Sequence, residues 1–333
     1  MGSLRQDPTT NEWVILAPER AARKPVDCPT RPPAPAHDPG CAFCPGNEHL
    51  TPPEIQRFPG AGPWEQRVVP NLFPAVAPGG TTERRGERTA REMAGVGAHE
   101  VVIESPVHDE RLDVMSPERV SGVVTTWRER YRRLAREPWV KAVVVFKNFG
   151  ERAGTSLEHP HSQILATPVV PPDTLQRYAV ATRYHDDTGH CVYLDLLARE
   201  QEEGVRMIGE RGRFGAVVPF ASQLPFETWI IPRVLQPSFG ELRDDDVPDL
   251  AELLRDSVAA IRRSAGDPDY NLVVQSAPVG QELAPVFQWH LRILPRTVTT
   301  AGFELGSGMS INTVAPEAAA ESLRAALMVA PAR

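Results

Sequence analysis

Hydrophobic positions fall into short β-branched runs separated by longer stretches of helical spacing. In the first half, His99 to Glu104 (HEVVIE) predicts a strand, and Pro117 to Arg136 predicts a helix with Ser116 as its N-cap. Val140 to Asn148 (VKAVVVFKN) predicts a buried strand, Gly150 to Leu157 a loop, and His159 to Ala166 (HPHSQILA) a returning strand. The second half repeats this order. Gly215 to Pro219 and Thr228 to Pro232 predict strands, Asp245 to Ser264 a helix, Tyr270 to Ser276 a strand, and Gln288 to Leu294 (QWHLRIL) the closing strand. A helix over Pro316 to Met328 follows. The repetition predicts an α+β fold of two tandem units, residues 1–171 and 172–333, with antiparallel sheets and packed helices. Two stretches break the pattern. Pro25 to Pro63 is dense in proline and reads as a long loop, and Ala75 to Gly97 reads as exposed and irregular.

Composition narrows the class of function. A net charge of −7 argues against a general nucleic-acid or anionic-membrane binder, although local arginines and backbone N–H groups can still hold phosphate. No apolar run approaches the length of a transmembrane helix and no apolar signal core precedes residue 20, so a cytoplasmic protein is expected. The four cysteines include the close pair Cys41 and Cys44, which in a reducing compartment suggests half of a zinc site rather than a disulfide. Spacing leaves the other ligands open among His37, His49, His99, His108 and His159.

The most informative segment is Glu158-His159-Pro160-His161-Ser162-Gln163. On a strand, His159 and His161 would project from one face, with Gln163 next on it. A neutral imidazole can attack phosphorus and carry the group covalently. Gln163 is a neutral donor, suited to a charging phosphoryl oxygen and not to general acid catalysis. Upstream, Asn148 to Ser156 (NFGERAGTS) is the kind of loop that presents N–H groups to phosphates.

Together these residues resemble the galactose-1-phosphate uridylyltransferase family, the transferase branch of the histidine-triad superfamily, which includes ADP-glucose phosphorylases. The resemblance runs from Arg5 to Pro8 and Glu12 to Val14, through Pro18 to Arg23, Cys41 to Cys44, Pro70 to Pro74 and Ser105-Pro106-Val107-His108. It peaks at Asn148 to Gln163 and resumes at Pro225 to Thr228, Gln288 to Pro295 and Gly302 to Glu304. It implies that His161 is the nucleophile and Gln163 the donor to the phosphoryl oxygens. It implies phosphate contacts from Asn148 and Ser156, a nucleotide-side pair in Arg20 and Arg23, and a base or ribose contact from Asn71. Phe303 and Glu304 would reach the sugar, across a homodimer interface. Cys41, Cys44, His108 and His159 would hold one structural Zn²⁺.

The implied reaction is ping-pong exchange of a nucleotidyl group between a nucleotide sugar and a sugar 1-phosphate, as with UDP-glucose and galactose 1-phosphate. The alternative is phosphorolysis of ADP-glucose by inorganic phosphate. A nucleotide hydrolase and a non-catalytic zinc-binding module are the remaining readings. In the second half, Gln288-Trp289-His290 stands where some members carry a metal-binding HxH, so no second metal is expected and His290 should be packed or beside substrate.

Overall fold

The computed structural model describes residues 2–21, 31 and 34–328. In chain order the elements are β1 (Ser3–Gln6), β2 (Trp13–Leu16), β3 (Gln56–Phe58), β4 (Gln66–Pro70), β5 (Arg85–Glu87), β6 (Ala90–Glu92), β7 (Ala98–Ile103), α1 (Pro117–Ala135), β8 (Ala142–Phe149) and β9 (His161–Thr167). The second half continues with α2 (Pro172–Thr188), α3 (Val192–Glu203), β10 (Met207–Arg211), β11 (Phe214–Val217), β12 (Thr228–Pro232), α4 (Val247–Ala265), β13 (Tyr270–Gln275) and β14 (His290–Pro295). The last elements are α5 (Gly302–Ser307), β15 (Ile311–Asn312) and α6 (Pro316–Leu327).

Ten of the strands form one sheet in the order β10-β11-β12-β14-β13-β8-β9-β7-β4-β3. Read outward from its centre, the two wings carry matching orders, 8-9-7-4-3 and 13-14-12-11-10. The two wings thus repeat one strand order, and all ladders within the sheet are antiparallel. The wings join through β8 and β13, where Asn148 lies opposite Asn271.

Helices α1 and α4 cover one face of the sheet. Ser116 caps α1 by accepting the Arg119 N–H at 3.2 Å, and Pro117 takes the first turn, where no N–H is needed. Val120, Val123, Val124, Trp127, Tyr131 and Leu134 then recur at helical spacing and are buried. They meet Leu250, Leu254 and Ile261 of α4 and the inward residues Val102, Val145, Ile164, Ile230 and Leu291 in one core.

The opposite face is covered differently in the two wings. Over the second, Tyr193 and Leu197 of α3 pack on Val217, Trp229 and Ile231. Over the first, the loop carrying Cys41, Phe43 and Cys44 packs with Trp64 on Val69, Val101 and Ile103.

Helices α2 and α3 went unread in the sequence. Only Thr174, Arg177 and Ala181 of α2 are buried, so it shows little apolar stripe. The stretch read as irregular contains the hairpin β5–β6, whose residues are all exposed and therefore leave no burial pattern. Strand β9 begins at His161, not His159, and β14 at His290, not Gln288.

Candidate active site

His161 opens β9 on the face that the cysteine loop covers, opposite Ile103 of β7. Its ring is 7% exposed, and Nδ1 lies 2.8 Å from the His159 carbonyl. A carbonyl only accepts, so Nδ1 carries the proton and Nε2 keeps a free lone pair. Burial, assisted by the Lys147 charge, holds the ring below the usual imidazole range, so it is neutral at pH 7. Lys147 is itself fully buried. Its Nζ donates to Glu104 at 2.6 Å and to the His161 carbonyl at 3.0 Å, so an ion pair braces the backbone of this residue. On the opposite side of β9, Trp127 donates to Ser162 Oγ at 2.6 Å and ties the strand to α1.

Two side-chain amides nearby are held by their oxygens. Gln163 follows His161 on the same strand face. His99 Nδ1 accepts the Ala75 backbone N–H at 3.2 Å, so His99 Nε2 bears the proton and donates to Gln163 Oε1 at 2.7 Å. Asn71 Nδ2 approaches the same oxygen at 3.4 Å. The second amide, Asn148, accepts at Oδ1 from Asn271 Nδ2 at 2.8 Å. Asn271 cannot be turned round, because the same nitrogen meets the Ala153 carbonyl at 2.8 Å and its oxygen accepts from Arg296 Nε at 2.5 Å. Among the described residues, neither Gln163 Nε2 nor Asn148 Nδ2 has an acceptor, so both N–H edges stay available.

His161, Asn148 and Ser156 line one cavity of about 770 Å³, a size suited to a small organic ligand. The loop between β8 and β9 forms one wall. Gly150 there has φ +87°, and a Cβ would come 2.2 Å from the Asp269 carboxylate. Asp269 also accepts the Arg152 N–H at 2.6 Å, so the tight approach fixes the loop to the second wing. Arginines at the cavity are already engaged: Arg31 pairs with Asp269, and Arg111 pairs with Asp267 and Asp113. Both guanidiniums lie over the Phe149 ring, at 4.1 and 4.8 Å. With these two charges matched, Asn148 Nδ2 is a donor lining the cavity that has no acceptor among the described residues, while Gln163 lies outside that lining.

Beside the cavity, Cys41, Cys44, His108 and His159 gather with all donor atoms within 4.8 Å of one another, every residue buried. Cys44 Sγ lies 3.4 Å from His108 Nδ1 and 3.6 Å from His159 Nδ1. Those separations match the edges of a zinc tetrahedron with bonds of about 2.0–2.3 Å. His159 Nε2 donates to the Ser105 carbonyl at 2.8 Å, which turns the Nδ1 lone pair to the cluster. Burial lowers His159 to about 4, so the ring is neutral, the ligand form. The N–H groups of Asp38 and Phe43 point at the two sulfurs, at 3.3 and 3.4 Å. The residues therefore fit a tetrahedral thiophilic cation. Of the other histidines open in the sequence, His37 bonds to the Pro45 carbonyl and His99 to Gln163, and neither they nor His49 belong to this group.

Arg20, Phe303 and Glu304 come together at a separate cavity of about 400 Å³, with Ile15 and Ile311. Arg23 lies outside the described residues. His290 is fully buried against Tyr193 and Trp229, with ring centroids at 4.8 and 4.9 Å. Its Nδ1 donates to the Gln288 carbonyl at 3.1 Å, repeating the His161 geometry, but α3 and its neighbours seal the ring in. Asn271, Lys147 and Glu104 have no assigned part in the sequence, and His99 stands there only among the candidate metal ligands. Their signal is spatial, since each acts on a residue distant in the chain.

The chain is similar to known proteins along its length. Residues 2–171 match the family model described as galactose-1-phosphate uridyl transferase, N-terminal domain. An ADP-glucose phosphorylase of Arabidopsis thaliana is 37% identical, over 96% of this chain and 92% of that protein. A galactose-1-phosphate uridylyltransferase of Thermotoga maritima is 28% identical, over 97% and 98%. The crystal structure of an Arabidopsis thaliana ADP-glucose phosphorylase with bound ADP-glucose superimposes with a TM-score of 0.84 at 33% identity, covering 100% of both chains. A uridylyltransferase structure gives 0.76 at 28%, covering 98% of each. Among the described residues, no helix is long and apolar enough to cross a membrane.

Proposed function

Because the chain belongs to the galactose-1-phosphate uridylyltransferase family, we propose that it transfers a nucleotidyl group by way of a covalent adduct on His161. The observation that carries this reading is the His161 ring itself: Nδ1 is committed to a carbonyl, and the Nε2 lone pair is left to react. Nε2 attacks the α-phosphorus of a nucleotide sugar. The bond from that phosphorus to the bridging oxygen breaks, and a sugar 1-phosphate leaves with the electron pair. The adduct retains the Nδ1 proton, so it is an imidazolium, steadied by the His159 carbonyl. An acceptor phosphate oxygen then attacks phosphorus, and the N–P electrons return to the ring. No proton has to move, which suits an amide at Gln163 better than an acid. Gln163 and Asn148 donate to the phosphoryl oxygens, with Ser156 beside them. The enzyme's share is positioning and charge stabilisation.

The preferred substrates are ADP-glucose and inorganic phosphate, giving glucose 1-phosphate and ADP. This is supported by 37% identity to an ADP-glucose phosphorylase across nearly the whole chain. The second reading, uridylyl exchange between UDP-glucose and galactose 1-phosphate, draws support from the family model and from relatives near 28%. Asn71 contributes on the base or ribose side. Arg20, Arg23, Phe303 and Glu304 serve nucleotide and sugar in a homodimer. Zn²⁺ on Cys41, Cys44, His108 and His159 belongs to the same proposal; bound there, it ties the proline-rich loop to the start of β9.

Incubation with each substrate pair separates the two reactions. A mass increase of one nucleotidyl group is expected on the wild-type protein and absent from His161→Ala. An adduct that persists in the variant removes His161 from the scheme.

A further inference from the structure

We infer that His99 is a positioning residue for this transfer, holding the Gln163 amide with its N–H edge toward the phosphoryl group. The inference rests on the reading of His161 as nucleophile. The side chain comes from β7, opposite Leu165 of β9, so it reaches Gln163 across the ladder. Its tautomer is set from behind by the Ala75 N–H, which only donates. The proton on Nε2 then admits one orientation of Gln163, oxygen inward, at 2.7 Å. Turning the amide over would set N–H₂ against N–H and present a carbonyl oxygen to the phosphoryl oxygens. One rotation would convert a stabilising donor into a repulsive acceptor. Asn71, at 3.4 Å, is too distant to prevent this alone. The segment from Asn71 to Ala75 is part of the same device, because Asn71 N–H donates to the His99 carbonyl at 2.8 Å and Asn71 Oδ1 accepts the Phe73 N–H at 2.9 Å. In the sequence, His99 stands only as a candidate metal ligand.

The test is the single-turnover rate of nucleotidylation, with ADP-glucose and UDP-glucose as probes. His99→Phe keeps the ring's bulk and removes both ring hydrogen bonds. Complete loss of a transition-state donor costs about 10²–10³ in rate, and an amide that both flips and drifts from its place should cost about 10- to 100-fold. The substrate concentration for half-maximal rate should move less than about threefold, because the interaction strengthens only as charge builds. His99→Gln, which can present an N–H near the same place, should recover most of the rate. In a Gln163→Ala background, His99→Phe should add nothing further, since its effect passes through that amide. An unchanged rate in His99→Phe, or a further loss in the double variant, overturns the assignment of His99 alone. If His99→Phe does not fold, His99→Gln and its cycle with Gln163→Ala decide on the same criteria. Absence of any wild-type adduct overturns the nucleotidyl-transfer reading, and this inference with it.

Discussion

Replacing Lys147 by Met should separate the folding role of its ion pair from its role at the nucleophile. Lys147 and Glu104 are 2% and 0% exposed and meet at 2.6 Å, and the same ammonium holds the His161 carbonyl at 3.0 Å. A surface pair of this geometry would be worth less than about 1 kcal/mol. Here, removal of one partner strands a carboxylate with no access to water, and the expected loss is about 3–5 kcal/mol. At about 2 °C per kcal/mol for a chain of this size, the melting temperature should fall by about 6–10 °C. Scanning fluorimetry reads that shift directly. Glu104→Met added to Lys147→Met removes the stranded charge, so most of the lost temperature should return. The rate of His161 nucleotidylation should not return with it, because the carbonyl still lacks its anchor. A melting temperature within 2 °C of wild type in Lys147→Met would refute the reasoning, and so would a double variant that regains rate together with stability.

Because burial holds the His161 ring below the usual value of about 6.5, the neutral nucleophile persists into mildly acid solution. The acid limb of the nucleotidylation rate should therefore lie below that pH, and a limb at or above it would contradict the burial argument. His290 is held well below the same value, so the folded chain refuses a proton that the unfolded chain accepts. Its contribution to stability is complete above about pH 6.5 and is lost as pH falls below it, so His290→Phe should show a smaller drop in melting temperature between pH 7.5 and 5.5 than wild type. Gly150→Ala meets both a positive φ and the Asp269 carboxylate, and should cost more than about 1 kcal/mol in urea unfolding and at least about tenfold in rate. Elemental analysis should find one zinc per chain in wild type and a loss of most of it in Cys44→Ser, with a lower melting temperature after chelation.

Much of this could be read from the chain alone where the signal was local. Ser116-Pro117 followed by an apolar stripe announced α1, and HPHSQ marked the proposed nucleophile and donor. The cysteine pair was equally plain, yet spacing alone left its histidine partners open, because His108 and His159 approach it from two different loops. What stayed illegible was whatever depends on pairing across the sheet. His99 reads as one polar position in HEVVIE until β7 is laid beside β9, and Asn271 reads as a strand residue until β13 meets β8. Lys147 looks like an exposed interruption in VVVFKNF, and only Glu104 on a neighbouring segment makes its burial tolerable. Helix α2 hides for another reason: its largest buried side chain is Arg177, which a hydrophobic pattern counts against burial.

The unequal covering of the two wings has a consequence for how this duplicated chain can change. Each copy kept a histidine clamped to a carbonyl two residues back, but one copy roofed it with a helix and gave up its opening. That closed copy is nonetheless not expendable, since Asn271, held by Arg296, reaches across the seam to set the Asn148 amide in the open one. Cut at the repeat boundary, the open copy would expose β8 as a raw edge and let Asn148 spin. On the proposed chemistry, the sealed wing is the jig in which the open one is held.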